Sequence, residues 1–348
     1  MKYLLTLCLL FSFSKPVSAD DFAWQKLIEL TDETSGIGAR PAGSDKEKET
    51  AVWIKKQWQL LGYTVNGFPF EFSLKGQKLT SENLSITIKG QSDKILVIGA
   101  HYDSTGEKQG SLGTTDNGSG VAAILDLANR LKAQKLAVTV RLVAFGAEEF
   151  GLQGSKAYVG QQQESLKHVV GMINLDTIIG GDKLYVHSAH ETPYKCKAVS
   201  KPNYNSSTKL RDELLSISKD LFAENSHQLH PAFQGYPQGQ TGSWSDHALF
   251  ACNGIPIAYL EATNFAIDGH SGNDGYSQTT HKDAWNCLKQ DGLTACDRDT
   301  EKKWGMIWHT EFDRLDKLTV MFKDRLKLQL TQNIDVLEAF IRQPNNYL

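Results

Sequence analysis

The chain has 348 residues, of which 40% are hydrophobic and 22% are charged, and its formal net charge is −3. This length and composition allow a large buried core, which excludes an intrinsically disordered chain. No basic patch favours nucleic acid as a partner. After the N-terminal segment no apolar stretch is long enough to span a membrane, so no membrane span is predicted.

The N-terminal residues have the pattern of an export signal. Lys2 precedes an apolar run over residues 3–13, and Val-Ser-Ala stands just before Asp20. A short apolar run between a positive charge and a small-residue cleavage site is typical of signal peptides. We therefore predict that residues 1–19 are removed and that the protein is exported, to the periplasm or to the medium.

Four cysteines remain after that cleavage, at positions 196, 252, 287 and 296. An even number in an exported protein indicates disulfides, and four cysteines allow three pairings. Cys287 and Cys296 close a short loop and are the first choice for a bridge. Cys252 lies in an apolar run and is equally compatible with a buried thiol. None of the four is spaced like a zinc ligand.

Hydrophobic periodicity predicts the elements in chain order. Amphipathic helices are expected over residues 21–33 and 45–61. Strands are expected near residues 63–72, 84–89 and 95–100. Helices and buried strands then alternate as far as Glu261, which is typical of an α/β protein. The predicted fold class is therefore α/β, with a mostly parallel, mixed central sheet and helices on both faces.

The domain organisation follows from the absence of breaks in this pattern. No internal repeat or low-complexity linker is visible, so residues 20–348 are predicted to form a single domain. A long polar stretch without clear periodicity, at about residues 264–308, is predicted to be a loop insertion. Loops of that length are usually lids or binding loops rather than spacers.

Residue types that bind metals follow several of the predicted strands. His101 and Asp103 come at the end of one buried strand, and Asp176 at the end of another. In open α/β sheets, ligands bind outside the carboxyl ends of the strands. Imidazole is the commonest neutral metal ligand, and a carboxylate two residues later can orient it. Asp116, in T-T-D-N-G-S-G, joins this set, although it is also a plausible helix N-cap.

Two adjacent glutamates, Glu148 and Glu149, follow the buried run of residues 138–145. An isolated pair of this kind is most often a solvated helix start, where acidic side chains suit the helix dipole. Beside a metal site, one of the carboxylates serves as a ligand and the other remains for proton transfer. The other candidate ligands in the chain favour this second interpretation.

A further histidine, in Trp-His-Thr, lies far downstream. The complete set comprises two histidines and three carboxylates: His101, Asp116, Glu149, Asp176 and His309. Nitrogen and oxygen donors without thiolate favour Zn²⁺ or a similar ion, and this number of donors suits two ions that share one carboxylate. Glu148 is then left beside the metals, in the position that a general base needs.

The order H-x-D, D-N-G-S-G, E-E-x-G, N-L-D, S-D-H and a late H-T resembles the secreted co-catalytic zinc aminopeptidase family. Bacterial leucyl aminopeptidases belong to this family, and glutamate carboxypeptidase and glutaminyl cyclase are distant relatives. Three strings, I-N-L-D-T-I-I-G-G-D-K-L-Y, Y-L-E-A-T-N and G-N-D-G-Y, look closer still to a bacterial branch named for trimming an exported protein. The resemblance covers roughly residue 36 to the C-terminus. It implies a phosphorylase/hydrolase-like zinc-exopeptidase architecture.

The resemblance also implies two Zn²⁺ per chain and a role for each candidate ligand. His101 and Asp176 are expected to hold one zinc, and Glu149 and His309 the other. Asp116 is expected to bridge the two ions. Because the ligands come from distant parts of the chain, this arrangement requires the fold to bring five segments together.

For catalysis, the resemblance implies that Glu148 is the general base and that Asp103 orients His101. The Ser-Asp-His segment that contains Asp246 is expected near the substrate-binding end. Some family members have a tyrosine just before this segment that helps to hold the tetrahedral intermediate, and this chain has Trp244. An indole N–H donates one hydrogen bond but does not reproduce a phenol. Asp246 and Trp244 are therefore candidate substrate contacts, and the group that holds the oxyanion besides zinc is left open.

The predicted function is a metallo-exopeptidase that removes N-terminal residues from peptides or exported proteins with zinc-activated water. Two alternatives are retained. A glutaminyl cyclase-like zinc acyltransferase shares the fold but usually works with one zinc. A non-catalytic binding protein on the same fold would be expected to lack ligands or Glu148.

A hypothesis about specificity rests on acidic residues outside the ligand set. Glu261 ends a strand predicted over residues 255–260. Three aspartates are further candidates: Asp182, Asp268 and Asp274. A desolvated charge pair discriminates strongly between substrates, so such a carboxylate would favour Arg or Lys over Leu as the first residue. The alternative is that these carboxylates hold the α-amine or are simply solvated.

Overall fold

A computed structural model describes residues 19–106, 110–269, 272–342 and 347. The predicted signal peptide therefore lies outside the described residues, except for its last position. The predicted loop insertion is described apart from residues 270–271. Within the described ranges, no helix is both long enough and apolar enough to cross a membrane.

Helices and strands alternate along most of the described chain. The helices are α1 (Ala19–Thr31), α2 (Asp45–Leu60), α3 (Ser119–Leu131), α4 (Gln153–Gln161), α5 (Gln163–Leu166), α6 (Lys209–Phe222), α7 (His247–Cys252), α8 (Leu315–Phe322) and α9 (Arg325–Arg342). The strands are β1 (Asn66–Leu74), β2 (Gln77–Ile88), β3 (Ser92–His101), β4 (Val138–Phe145), β5 (Val169–Leu175), β6 (Lys183–Ala189), β7 (Gln240–Thr241), β8 (Ile257–Thr263), β9 (Leu288–Lys289) and β10 (Thr294–Ala295). A π-helical turn, Thr114–Gly118, leads into α3.

Eight of these strands form one mixed sheet in the order β1-β2-β4-β3-β5-β8-β6-β7. The central strands β4, β3, β5 and β8 are parallel to one another. The hairpin β1-β2 is antiparallel and joins β4 at one edge, and β6 runs antiparallel to β8 near the other. The predicted fold class, α/β with a mixed central sheet, is confirmed.

Both faces of the sheet are buried, because alternate side chains of the central strands enter different cores. Leu96, Ile98 and Ala100 of β3 belong to a large core that also contains residues of α1, α2, α3, α6 and α9. Ile95 and Val97 point the other way, into a smaller core with residues of α4 and α7. Side chains of successive strand residues lie on opposite faces, so β3 must be apolar throughout its inner part. The polar residues of β3 therefore lie at its two ends, with Ser92, Asp93 and Lys94 at the amino end and His101 at the carboxyl end.

One strand boundary differs from the prediction in a way that bears on function. β8 begins at Ile257 and continues to Thr263, two to three residues later than predicted at each end. Pro256 has no N–H for the ladder, which delays the start. The antiparallel pairing with β6 extends the strand, and it places Glu261 opposite Tyr185 inside the sheet. Glu261 is therefore held by a strand rather than by a loop.

Two disulfides join the four cysteines that follow the predicted signal. Cys287 is bonded to Cys296 across the β9-β10 hairpin, within the predicted loop insertion. Cys196 is bonded to Cys252 at the end of α7, so Cys252 is not a free thiol. The second bridge joins two cysteines that are 56 positions apart in the sequence. Cross-links of this kind stabilise mainly by restricting the unfolded chain.

Candidate active site

The five candidate ligands meet at the carboxyl edge of the parallel strands. His101 is the last residue of β3, Asp176 directly follows β5, and Glu149 lies in the turn after β4. Parallel strands end at the same edge of a sheet, which brings these three together despite their separation in sequence. Asp116 lies in the π-helical turn before α3, and His309 lies in the segment before α8.

The two oxygens of Asp116 face two different histidines. Oδ1 of Asp116 lies 3.1 Å from Nε2 of His101, and Oδ2 lies 3.0 Å from Nε2 of His309. Nε2 of His101 is also 3.4 Å from Oδ1 of Asp176, and Nε2 of His309 is 2.9 Å from Oε2 of Glu149. Two triplets of ligand atoms therefore share one carboxylate.

The chemistry of these donors fits two divalent cations. Within each triplet, the donor atoms lie within 4.8 Å of one another. Both sets combine one imidazole with two carboxylates and contain no thiolate, which suits Zn²⁺. Four of the five side chains have only slight exposure to solvent, and His309 is half-buried. A buried acidic cluster of this density requires positive charge to compensate it.

The same crowding shifts the proton affinity of each group. Burial raises the pKa of Glu148 well above its usual range and that of Glu149 to about 7. Burial lowers the pKa of His309, but its hydrogen bonds to Asp116 and Glu149 outweigh this effect and raise the pKa to about 11. The raised pKa values of the two glutamates and of His309 all favour protonated forms, as expected where buried carboxylates lie close together.

Asp103 supports the turn that carries the two glutamates. Its Oδ1 accepts a hydrogen bond from the backbone N–H of Glu148 at 2.9 Å, and its Oδ2 accepts one from Glu149 at 3.1 Å. Nδ1 of His101 lies 3.2 Å from the backbone carbonyl of Asp103 and 3.5 Å from its carboxylate. Asp103 is fully buried and thus links the end of β3 to the turn after β4.

The residues of the Ser-Asp-His segment and the Trp244 before it have different surroundings in the site. Ser245 donates a hydrogen bond of 2.7 Å to Oδ2 of Asp176, and Trp244 lines the cavity with 46% of its surface exposed. Asp246 does not line the cavity, which differs from its predicted substrate contact. Asp246 lies just before α7, and its side chain is fully buried. Burial raises the pKa of Asp246 to about 7.

A cavity of about 550 Å³ lies over the ligand set. Its walls include Glu148 and several aromatic side chains: Trp244, Tyr259, Phe265, Tyr276 and Trp308. Glu261 and Asp274 also face it, so two of the four acidic candidates for specificity are in place. Oε1 of Glu261 lies 2.8 Å from Nε2 of His187, and its side chain retains 15% exposure.

The other two acidic candidates have structural partners instead. Asp182 accepts hydrogen bonds from the hydroxyl of Thr279 at 2.7 Å, from the backbone N–H of Thr280 at 2.8 Å and from Arg325 at 3.0 Å. It therefore anchors the loop insertion to α9. Asp268 pairs with Arg298 within the insertion. Neither side chain lines the cavity.

Three buried charged residues that the sequence did not single out support the ligand segments. Arg40 is fully buried and donates to the backbone carbonyls of Tyr102, at 2.7 Å, and Gly113, at 2.9 Å. Glu47 accepts a hydrogen bond from the backbone N–H of Ala147 at 3.0 Å. Asp313 accepts hydrogen bonds from the backbone N–H and the hydroxyl of Thr115, the residue before Asp116. No local pattern reveals these residues, because each acts on a segment that is distant in sequence.

Comparison with known proteins agrees with this geometry. A family model described as peptidase family M28 matches residues 83–330, a range that contains all five candidate ligands. The chain belongs to peptidase family M28. The alkaline phosphatase isozyme conversion protein of Escherichia coli K12 is 29% identical over 262 residues, which cover 69% of this chain and 71% of that protein. The predicted zinc aminopeptidase family, and with it the predicted enzyme class, is confirmed.

Several solved structures share the fold of this chain. A zinc aminopeptidase from Bacillus subtilis is 17% identical and superposes with a TM-score of 0.63 over 94% of this chain and 96% of its own. A glutaminyl cyclase from an Acidobacteriales bacterium, also 17% identical, gives a TM-score of 0.62 over 97% and 99% of the two chains. Because peptidases and cyclases have the same architecture, the fold alone does not separate the two activities.

Proposed function

We propose that this M28 enzyme is a di-zinc aminopeptidase that removes N-terminal residues from peptides or exported proteins. The observation that carries the proposal is the position of Asp116 between His101 and His309. A carboxylate that offers one oxygen to each of two imidazoles is what a pair of co-catalytic ions requires. His101 and Asp176 would hold one ion, Glu149 and His309 the other, and Asp116 both.

Glu148 is the proposed general base. It lines the cavity beside the ligand set but belongs to neither triplet. The two zinc ions, when bound, supply Lewis acidity for the scissile carbonyl and for the attacking water. Glu148 accepts the proton of that water and returns it to the leaving amine, which requires a carboxylate within hydrogen-bond reach of both. Asp103 holds the backbone of Glu148 and thereby fixes the direction of this carboxylate.

The proposed preference for a basic first residue rests on Glu261 and its surroundings. Glu261 lines the cavity from the rigid strand β8, among Tyr259, Phe265 and Trp244. Aromatic faces and a carboxylate together suit a guanidinium or ammonium group. The E. coli relative is named for the conversion of alkaline phosphatase isozymes, which is compatible with trimming of an exported protein.

We also propose that the enzyme is exported as one domain after loss of residues 1–19. Two disulfides support an oxidising compartment, the periplasm or the medium, because such bonds are rare in the cytosol. Peptide or protein N-termini would be its partners there. Export is tested by N-terminal sequencing of the protein recovered from each fraction, which should begin at Asp20.

A glutaminyl cyclase-like activity is the second candidate, favoured by the structural likeness to the bacterial cyclase. The two triplets favour the peptidase, since cyclases usually work with one zinc. The deciding experiment measures metal content by mass spectrometry together with activity on aminoacyl-amides, N-acetylated peptides and peptides that begin with Gln. Two zinc ions and hydrolysis of free N-termini support the aminopeptidase. One ion and conversion of N-terminal Gln to a cyclic product contradict it.

A further inference from the structure

The catalytic cavity crosses four neighbouring strands at their carboxyl ends, in the order β4, β3, β5 and β8. Adjacent strands are about 4.8 Å apart, so β4 and β8 are separated by about 14 Å. The candidate ligands His101 and Asp176 lie at the ends of the two middle strands. The cavity therefore has two ends, one beyond β4 and one beyond β8, with His101 and Asp176 between them.

The two ends differ in the charged side chains that lie beyond the ligands and Glu148. At the β8 end the lining includes Glu261, together with Tyr259 and Phe265. At the β4 end it includes Gly151, Leu152 and Lys156, the last in the first turn of α4. Nζ of Lys156 donates a hydrogen bond of 2.6 Å to the carbonyl of Gly151, which holds the ammonium group at the wall.

Lys156 has no acidic partner among the described residues, unlike many surface lysines of this chain. Lys55 and Lys167, for example, pair with Glu82 and Glu164. The only side-chain hydrogen bond of Lys156 within the described chain is the one to Gly151, which leaves two ammonium protons for another acceptor. The cavity wall thus contains a cation that forms no ion pair with any described carboxylate.

The position of Glu148 indicates which part of a substrate would lie beside the ammonium group of Lys156. Glu148 follows β4 and would return the proton to the leaving amine, so the leaving peptide must lie on the β4 side. The side chain of the first residue then lies towards β8 and Glu261. This step rests on the proposed aminopeptidase function.

We propose that Lys156 binds a carboxylate on the leaving part of the substrate. The carboxylate is either an Asp or Glu side chain just after the first residue, or the C-terminal carboxylate of a dipeptide. Both sources present the same anion to the ammonium group, and charge-assisted hydrogen bonds are the strong ones. The enzyme thereby selects substrates whose leaving part is acidic, a preference independent of the first residue.

The test uses substrate pairs that differ by one charge and share their first residue. Arg-Glu-amide against Arg-Gln-amide reports on the side-chain carboxylate, and Arg-Ala against Arg-Ala-amide on the terminal one. We expect kcat/KM to favour the acidic member of at least one pair about 10-fold, which corresponds to about 1.4 kcal/mol. Lys156→Met should reduce that ratio to within about twofold of unity, and Lys156→Arg should retain most of it. Since each ratio is measured within one variant, a general loss of activity cancels.

Lys167→Met is the matched control, because Lys167 lies outside the cavity lining and pairs with Glu164. It should leave both ratios as in the wild type. If the wild-type enzyme hydrolyses all four substrates with ratios near unity, the role assigned to Lys156 is wrong and the aminopeptidase proposal stands. A ratio that persists in Lys156→Met would overturn that role as well. Cleavage of the C-terminal bond of N-acetylated peptides would instead overturn the aminopeptidase proposal, and the assignment with it.

Discussion

Oδ1 of Asp313 accepts hydrogen bonds from both the backbone N–H and the hydroxyl of Thr115, at 2.6 and 2.9 Å, across 198 residues of sequence. Its Oδ2 accepts one from the hydroxyl of Ser111 at 2.9 Å. Asp313 is fully buried and lies four residues after His309. It therefore ties the segment that presents His309 to the segment that presents Asp116, the two residues that meet at the second triplet.

This relationship predicts that Asp313→Ala weakens metal binding although Asp313 touches no candidate metal position. Partners that orient metal ligands typically contribute about 10–100-fold to metal affinity. We expect a loss of that size in a zinc titration of the metal-free protein. Asp313→Asn retains an oxygen for Thr115 and should lose much less.

The control for Asp313→Ala is Asp126→Ala, which also removes a fully buried carboxylate, one that pairs with Arg130 and belongs to neither ligand triplet. Asp126→Ala should lower the melting temperature without changing zinc affinity. If both variants lose zinc affinity equally, the effect of Asp313 is general destabilisation rather than positioning.

His309→Ala is expected to leave one zinc per chain. His309 contributes the only imidazole of the second triplet, 2.9 Å from Glu149 and 3.0 Å from Asp116. The first triplet keeps all its donors, so one ion should remain while most activity is lost. Metal content by mass spectrometry decides the matter. Two tightly bound ions in this variant would show that His309 is not a ligand.

Glu148→Gln is expected to keep both metals and to lose activity by at least about 10²-fold, the lower end for a lost acid–base group. The amide has nearly the shape of the carboxylate but cannot accept and return a proton. Asp103 continues to bond the backbone of this residue, so the turn should remain in place. Normal turnover in a fully metallated Glu148→Gln protein would exclude Glu148 as the base.

The sequence predicts the site well where it depends on strand ends. Apolar runs that stop at His101, Asp176 and Glu148 are visible locally, and the parallel sheet brings them to one edge. Supporting residues such as Arg40 and Asp313 are not predictable in this way, because their partners are tens to hundreds of residues away. Each resembles an ordinary surface charge in the sequence, and only the fold shows that it is buried.

Two sequence-based expectations meet unexpected surroundings in the structure, for the same reason. The sequence favours Asp246 as a substrate contact, but its side chain, just before α7, is buried and does not line the cavity. Asp182 was a candidate for specificity, but it anchors Thr279 and Arg325. Burial and side-chain direction decide both cases, and neither is encoded in local residue order.

The buried His227, away from the active site, is expected to make the free energy of unfolding depend on pH. It is almost fully buried; Nε2 contacts Oδ1 of Asn333 at 3.0 Å, and Nδ1 contacts the hydroxyl of Ser218 at 2.8 Å. Burial lowers its pKa to about 4, against about 6.5 in an unfolded chain. Between these values the unfolded state binds more protons, so stability falls as the pH falls from about 6.5 to 4.

The shift corresponds to about 3 kcal/mol at most. His227→Gln removes this titration, so its free energy of unfolding should change less between pH 7 and 4.5 than that of the wild type. Urea unfolding of the metal-free proteins at both pH values measures the difference, and all other titrating groups cancel in the comparison. Equal pH dependence in the two proteins would show that His227 is not a source of acid sensitivity.

Glu261→Gln tests the origin of specificity. We expect the wild type to hydrolyse Arg-amides and Lys-amides with a higher kcat/KM than Leu-amides, because Glu261 offers a carboxylate within an aromatic wall. The hydroxyl of Tyr259 donates a hydrogen bond of 3.3 Å to Oε2 of Glu261, and Oε1 lies 2.8 Å from Nε2 of His187. A carboxylate that is already oriented in this way costs less to order around the substrate. The glutamine variant keeps the shape and loses the charge. Its Arg-to-Leu ratio should fall by about 10-fold or more, since hydrogen bonds between ionised groups are roughly twice as strong as neutral ones.

If Glu261 instead held the α-amine, Arg-amides and Leu-amides would lose kcat/KM equally and the ratio would stay constant. A wild-type enzyme that prefers Leu-amides would contradict the basic-residue hypothesis and would assign the cavity to apolar first residues.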